Sequence, residues 1–165
     1  MKNLLLEETK YNLWANTLIS AELKKLTEEQ WNLEQKSSFN TIRTTVEHLA
    51  DCEYNWLKRI DGDSTWEDQA KEFKGINNVL EFWLKQSNKF ITLAEQTDAK
   101  KLEEIIAYKN SAGDPFKSEL YKIVAHVMNH GTYHRGQLVT MVRGVGVAKM
   151  PSTDLIMYYR SLTNG

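Results

Sequence analysis

In 165 residues the sequence holds one cysteine, two prolines and eight glycines. The single Cys52 excludes an intramolecular disulfide framework. So few helix breakers permit long helices and disfavour a turn-rich β sandwich. An excess of one charge is also missing, since 21 Lys and Arg meet 22 Asp and Glu for a net charge of -1. A duplex-binding protein carries a basic excess or a basic stripe. Neither is present, so nucleic acid is not expected as a partner. No apolar run approaches the ~20 residues of a membrane span. The leucines of MKNLLLEE are interrupted by Glu7 and Glu8, too early for a signal-peptide core of about 7–15 residues. A cytoplasmic protein without a membrane partner is therefore expected. What remains is 41% apolar and 26% charged, the balance of a folded chain. Domains of roughly 100–200 residues make one domain over residues 1–165 the expectation. Five tryptophans and four histidines are the unusual entries.

The breakers separate five helical candidates. The first runs from about Leu5 to Lys25, with Tyr11, Trp14, Leu18 and Ile19 on one stripe. The second runs from about Thr41 to Ile60, capped by Ser37, Ser38 or Asn40, and turns Ile42, Val46, Leu49, Trp56 and Leu57 inward. Asp61-Gly62-Asp63 ends it. The third starts near Asn77 or Asn78 and reaches about Thr97. The fourth extends from about Phe116 or Lys117 to Val142 and closes on Arg143-Gly144. A short fifth helix spans about Ser152 to Leu162 behind Pro151. Between the third and fourth, Ile105, Ile106 and Tyr108 lean toward strand, and Asn110, Ser111, Gly113, Asp114 and Pro115 signal a loop. A short hairpin is expected there. Long amphipathic helices with moderate connections make an all-α bundle, and the tryptophans mostly pack it.

Three histidines, His126, His130 and His134, recur at i, i+4 and i+8 along one face of the fourth helix. Two histidines one turn apart can chelate one ion. Three cannot, because His126 and His134 are separated by about 12 Å of helix at 1.5 Å per residue, whereas metal–nitrogen bonds are about 2.0–2.1 Å. The chelating pair is either His126 with His130 or His130 with His134. His48 in the second helix supplies a third imidazole, and three histidines leave positions for water or substrate. Cys52, one turn on, would close a structural tetrahedron if it ligated; otherwise it is a small buried hydrophobe. Gly131 and Gly136 inside the fourth helix signal close packing, room for a ligand, or tolerated strain.

Four segments in order, YNLWAN (11–16), SSFNTIRTTVEHLADCEYNWLKRIDG (37–62), HVMNHGTYHRGQL (126–138) and PSTDLIMYYR (151–160), resemble the DinB/YfiT-like superfamily of metal-dependent enzymes over nearly the whole chain. The resemblance implies an up-down-down-up four-helix bundle, often dimeric, so a homodimer is expected. It implies a divalent metal ion, zinc or nickel, on His48, His130 and His134, which leaves His126 a supporting role. It also implies a small-molecule substrate, with a low-molecular-weight thiol as cosubstrate of an S-transferase. A metal-dependent hydrolase and a non-catalytic, stress-associated metal-binding protein are the alternatives. Asp51 and Glu53 lie within about a turn of His48 and are candidates to orient a ligand or move a proton. Arg135 follows the last histidine and is a candidate to bind a substrate carboxylate or to pair with Asp154.

Overall fold

The computed structural model describes residues 1–163, so residues 164 and 165 of the expected domain lie outside the described residues. Its helices are α1 (Lys2–Leu23), α2 (Glu28–Asn32), α3 (Ile42–Ile60), α4 (Ile76–Gln96), α5 (Leu120–Gly144) and α6 (Leu155–Thr163). A hairpin of β1 (Ile105–Lys109) and β2 (Pro115–Glu119) precedes α5.

Local chemistry sets the helix ends. Thr41 is itself the cap of α3, in place of Ser37, Ser38 or Asn40. Its Oγ1 accepts from the Thr44 N–H at 3.0 Å while Thr44 Oγ1 accepts from the Thr41 N–H at 3.1 Å, which satisfies two otherwise orphaned donors. A second capping box, Thr27 with Gln30, starts α2, a helix absent from the expected set. Gly62 turns the chain after α3 at φ 93°, a left-handed conformation that costs glycine nothing. The largest departure from the expected boundaries is at α5, which begins at Leu120 and not at Phe116 or Lys117. Those residues instead pair with β1, in the register Tyr108↔Phe116 and Ala107↔Lys117, so cross-strand bonding overrides their helical period. The last helix starts at Leu155, because Ser152 donates to Asp154 Oδ2 at 2.9 Å and Asp154 O accepts the Met157 N–H at 2.8 Å, a turn ahead of the helix.

Helices α1, α3, α4 and α5 form the bundle, with α1 and α3 each packed between α4 and α5. Lys2 Nζ donates to Glu95 O at the far end of α4, so α1 and α4 run oppositely. Thr45 Oγ1, near the start of α3, meets Met141 Sδ near the end of α5, so these two also oppose. Leu5 and Leu120 share one core cluster while Ile42 and Val142 share the other with Leu23, which makes α1 and α5 parallel. The topology is up-down-down-up.

Between the two apolar clusters lies a buried polar layer, one or two residues from each long helix: Asn12, Asn16, Glu53, Ser87 and Arg135. Gly131 makes room for it, since a Cβ there would stand 2.8 Å from Asn12 Oδ1 and 3.0 Å from Arg135 Nη1. Gly136 has nothing within 4 Å of a Cβ. Gly131→Ala should therefore lower stability by roughly 1–3 kcal/mol through overpacking. Gly136→Ala should gain up to about 1 kcal/mol of helix propensity. Urea titration of both variants checks the contrast, and equal shifts would contradict it. Of the tryptophans, Trp31, Trp83 and Trp56 are buried in the core, whereas Trp66 is exposed. No helix among the described residues is long and apolar enough to cross a membrane.

Candidate metal centre

His48 comes from α3, and His130 and His134 from successive turns of the facing α5. The antiparallel seam between these helices brings the three imidazoles together. One ring nitrogen from each lies within 4.8 Å of the other two. His48 Nε2 and His130 Nε2 are 3.0 Å apart, and the rings of His130 and His134 are 4.4 Å apart. His126 sits one turn back on α5, its ring 5.9 Å from that of His130, and packs edge-on against Trp56 instead. Among the described residues the cluster holds histidines alone.

The surroundings orient these rings. Gln137 Nε2 donates to Ser38 Oγ at 2.9 Å, which turns the amide oxygen toward His134 Nδ1 at 2.7 Å. Nδ1 is then the protonated nitrogen of His134, and its Nε2 keeps a free lone pair. Phe39 stacks on His48 with ring centroids 4.2 Å apart and leans on His134 at 5.6 Å. Burial, with His134 nearby, pulls His48 down to about 4, and burial with the neighbouring histidines takes His130 to about 3. Burial lowers His134 too, against the raising effect of its bond to Gln137. The cluster is therefore a set of neutral imidazoles, the protonation state that metal ligation requires. Bonds of about 2.0–2.1 Å to one tetrahedral ion place imidazole nitrogens about 3.3 Å apart. The observed spacing brackets that distance, so the donor set fits a divalent ion with small side-chain adjustments.

The other candidates fall in different places. Asp51 lines a cavity of about 230 Å³ with His48, Phe39 and Trp66. Its Oδ1 accepts the Ala70 N–H at 2.7 Å, and burial raises the carboxyl to about 6. Glu53 points into the polar layer, where its carboxylate accepts from Asn12, Asn16 and Ser87. Arg135 belongs to the same layer. It donates to Asn12 Oδ1, Asn16 Oδ1 and Thr132 Oγ1, and is committed there in place of Asp154. Cys52 is buried in the apolar cluster below the histidines. Burial, with Glu53 close by and Arg59 partly offsetting, pushes its thiol up to about 12. Sequence reasoning did not pick out Gln137 and Phe39. Gln137 was findable as the i+3 neighbour of His134. Phe39 lies in an irregular segment with no periodic signal.

Several known proteins share this fold. Three solved structures superimpose on the bundle. A DinB-like protein of Bacillus subtilis, YjoA, has a TM-score of 0.65 at 14% identity, over 89% of this chain and 97% of that one. YfiT from Bacillus subtilis, described as a probable metal-dependent hydrolase with an unusual four-helix bundle topology, has a TM-score of 0.65 at 12% identity, over 88% and 87%. A DinB-like protein from Bacillus cereus has a TM-score of 0.64 at 18% identity, over 84% and 90%. By sequence, Protein DinB of Bacillus subtilis is 30% identical over 156 residues, covering 90% of this chain and 89% of the relative. The DinB family model matches residues 1–163. With bundle, topology and sequence in agreement, the chain belongs to the DinB family.

Proposed function

We propose that the protein is a divalent-metal-dependent enzyme acting on a small molecule, with His48, His130 and His134 as its protein ligands. The observation that carries this reading is the convergence of three imidazole nitrogens within 4.8 Å, with no fourth protein donor in the cluster among the described residues. A three-histidine site keeps positions for exogenous ligands, the arrangement of catalytic centres. An ion there, zinc or nickel, supplies a Lewis acid that makes water or a thiol nucleophilic near neutral pH. The protein's own groups do the rest. Gln137 holds His134 in one tautomer, Phe39 covers the rings from one side, and the cavity between His48 and Trp66 receives the reactant. Asp51, whose Oδ1 accepts the Ala70 N–H, lines that cavity and is the carboxylate placed to accept a proton there.

For the reaction we take S-transfer from a low-molecular-weight thiol: its S–H proton passes to a base, its thiolate sulfur bonds the electrophilic carbon, and the leaving group departs from that carbon with the bonding electron pair. Hydrolysis is the second reading, favoured by the likeness to YfiT. Metal-loaded protein is to be assayed for conjugation of an electrophile with bacillithiol, mycothiol or glutathione, and for ester, amide and lactam hydrolysis. Thiol-dependent turnover supports transfer, thiol-independent turnover supports hydrolysis, and neither reaction from a loaded protein supports a non-catalytic metal-binding role. The protein would act in the cytoplasm, where thiols are kept reduced. Two copies would pair in a homodimer, for which the exposed Leu155, Ile156 and Met157 of α6 offer apolar surface. Light scattering checks the dimer.

A further inference from the structure

Below the histidines, the seam between α3 and α5 continues through His126 and Trp56 to Arg59. The ring of His126 is 5.4 Å from that of Trp56, and the Arg59 guanidinium carbon is 4.7 Å from the same indole. Arg59 lies on the His48 face of α3, eleven residues on, or about 16 Å along the axis at 1.5 Å per residue. It is only 6% exposed, yet its side chain makes no hydrogen bond and no ion pair among the described residues. Two acids of the following loop are taken by its neighbour, since Lys58 binds both Asp63 and Glu67, and Asp61, two residues on, makes no ion pair with it among the described residues. What surrounds the guanidinium is aromatic: Trp56, Trp66 at 5.4 Å and Tyr108 at 5.8 Å.

A buried cation is normally paired, because leaving it alone forfeits several kcal/mol of hydration. Three aromatic faces offset part of that cost and hold the fork in place. They leave its five N–H donors unused by the protein. The guanidinium nitrogens are not among the sealed, unpartnered atoms, in contrast to Arg135 Nε, so solvent still reaches them. Tyr108 also lines a cavity of about 710 Å³ together with Lys109, Lys117, Ser64 and Thr65, which bring positive charge and hydroxyls.

We infer that Arg59 is an anion-binding site, which takes a carboxylate or phosphate group of a small molecule lying along the α3–α5 seam. Fork geometry suits both anions bidentately. The inference deepens the proposed function by naming an anionic end for the substrate, at the other end of the seam from the three histidines. It rests on that reading only for the identity of the molecule, since anion binding at Arg59 does not need a metal.

The test uses full-length, metal-free protein dialysed free of chelator, so it stands whether or not the histidines bind an ion. Calorimetric and tryptophan-fluorescence titrations employ S-methylglutathione, which has carboxylates and no free thiol, its diethyl ester, and inorganic phosphate. Trp56 and Trp66 flank the guanidinium and report occupancy. The expected result is binding of S-methylglutathione, of phosphate or of both, weakened by added salt. Loss of the charged partner in Arg59→Met should weaken it roughly tenfold or more, with Arg59→Lys intermediate. Binding of S-methylglutathione alone identifies a carboxylate site, and phosphate alone a phosphate site. The wild-type comparison of acid with ester needs no variant, so it decides the matter even if Arg59→Met does not fold. Failure of both anions to bind, an ester that binds as tightly as the acid, or an Arg59→Met protein with unchanged affinity overturns the inference.

Discussion

His130→Ala is expected to abolish stoichiometric retention of a divalent ion, with a loss of affinity on the order of 10³-fold or more. That scale follows because even an outer partner that orients a ligand is worth roughly 10–100-fold. His130 is the sharpest test since it is common to both chelating pairs the helix allows, and its Nε2 stands 3.0 Å from His48 Nε2. His48→Ala and His134→Ala should behave alike, whereas His126→Ala should retain the ion, because His126 packs on Trp56 outside the cluster. Gln137→Ala should fall between, at the 10–100-fold level, by freeing the His134 ring from the amide that fixes its tautomer. The measurement is metal content and competition titration on protein purified without a histidine tag. Full retention by any one of the three variants would remove that residue from the ligand set. Retention by His130→Ala would sink the proposed centre as a whole.

Arg135→Met is expected to cost roughly 2–5 kcal/mol of stability, because it leaves two buried amide acceptors unpaired at about 1–3 kcal/mol each. Arg135 is 1% exposed and its guanidinium donates to the amide oxygens of Asn12 and Asn16, so its loss strands those acceptors on α1. Glu53 gives an independent handle on the same layer. Burial raises its carboxyl to about 7, against the lowering effect of Ser87, Asn12, Arg135 and Asn16. Between the ordinary value of 4.5 and about 7 the folded chain holds a proton that the unfolded chain has released. Glu53 therefore favours folding below pH 4.5, and that contribution is lost as pH rises to about 7. Glu53→Gln removes this dependence. Its stability relative to wild type should climb by up to about 3 kcal/mol across that window. His48 and His130 are shifted the other way, and their opposite slope is present in both proteins and cancels in the difference. Urea unfolding of metal-free wild type, the two single variants and the double variant at pH 5 and pH 8 checks both effects. Arg135→Met at less than 1 kcal/mol, or a pH-independent Glu53→Gln difference, would mean that the layer is solvated.

The two results bear on different parts of one seam. Arg135 is adjacent in sequence to His134, and its carbonyl-side turn shares α5 with every histidine but one. The polar layer thereby pins the rotation of α5 against α1 and α3, and with it the direction in which His130 and His134 face. An apolar layer of equal volume would allow more rotational slack, because dispersion contacts are less directional than the bonds from Arg135 to two asparagines.

Much of this was legible one helix at a time. The 3.6-residue period marks which face of each long helix turns inward. The rise per residue forbids His126 and His134 from sharing an ion, so His130 belongs to any pair. The loop signals around Asn110 to Pro115 mark the hairpin, and the resemblance to a known family selects His134 and His48. All of these are properties of a local segment or of a motif, and need no knowledge of which helices become neighbours. The tertiary structure alone decided the rest. Phe116 and Lys117 left the helical period because a strand partner was available. Asp51 and Glu53, two residues apart, went to opposite surroundings, one to a cavity beside His48 and the other to a sealed layer between helices. Arg135 turned inward to Asn12 and Asn16, more than a hundred residues away in sequence, and Arg59 came to rest among Trp66 and Tyr108 with no ion pair among the described residues. A side chain's role in a bundle depends on what the facing helix and loops place within a few ångströms of it, and that is set by packing over long sequence distances, not by local period.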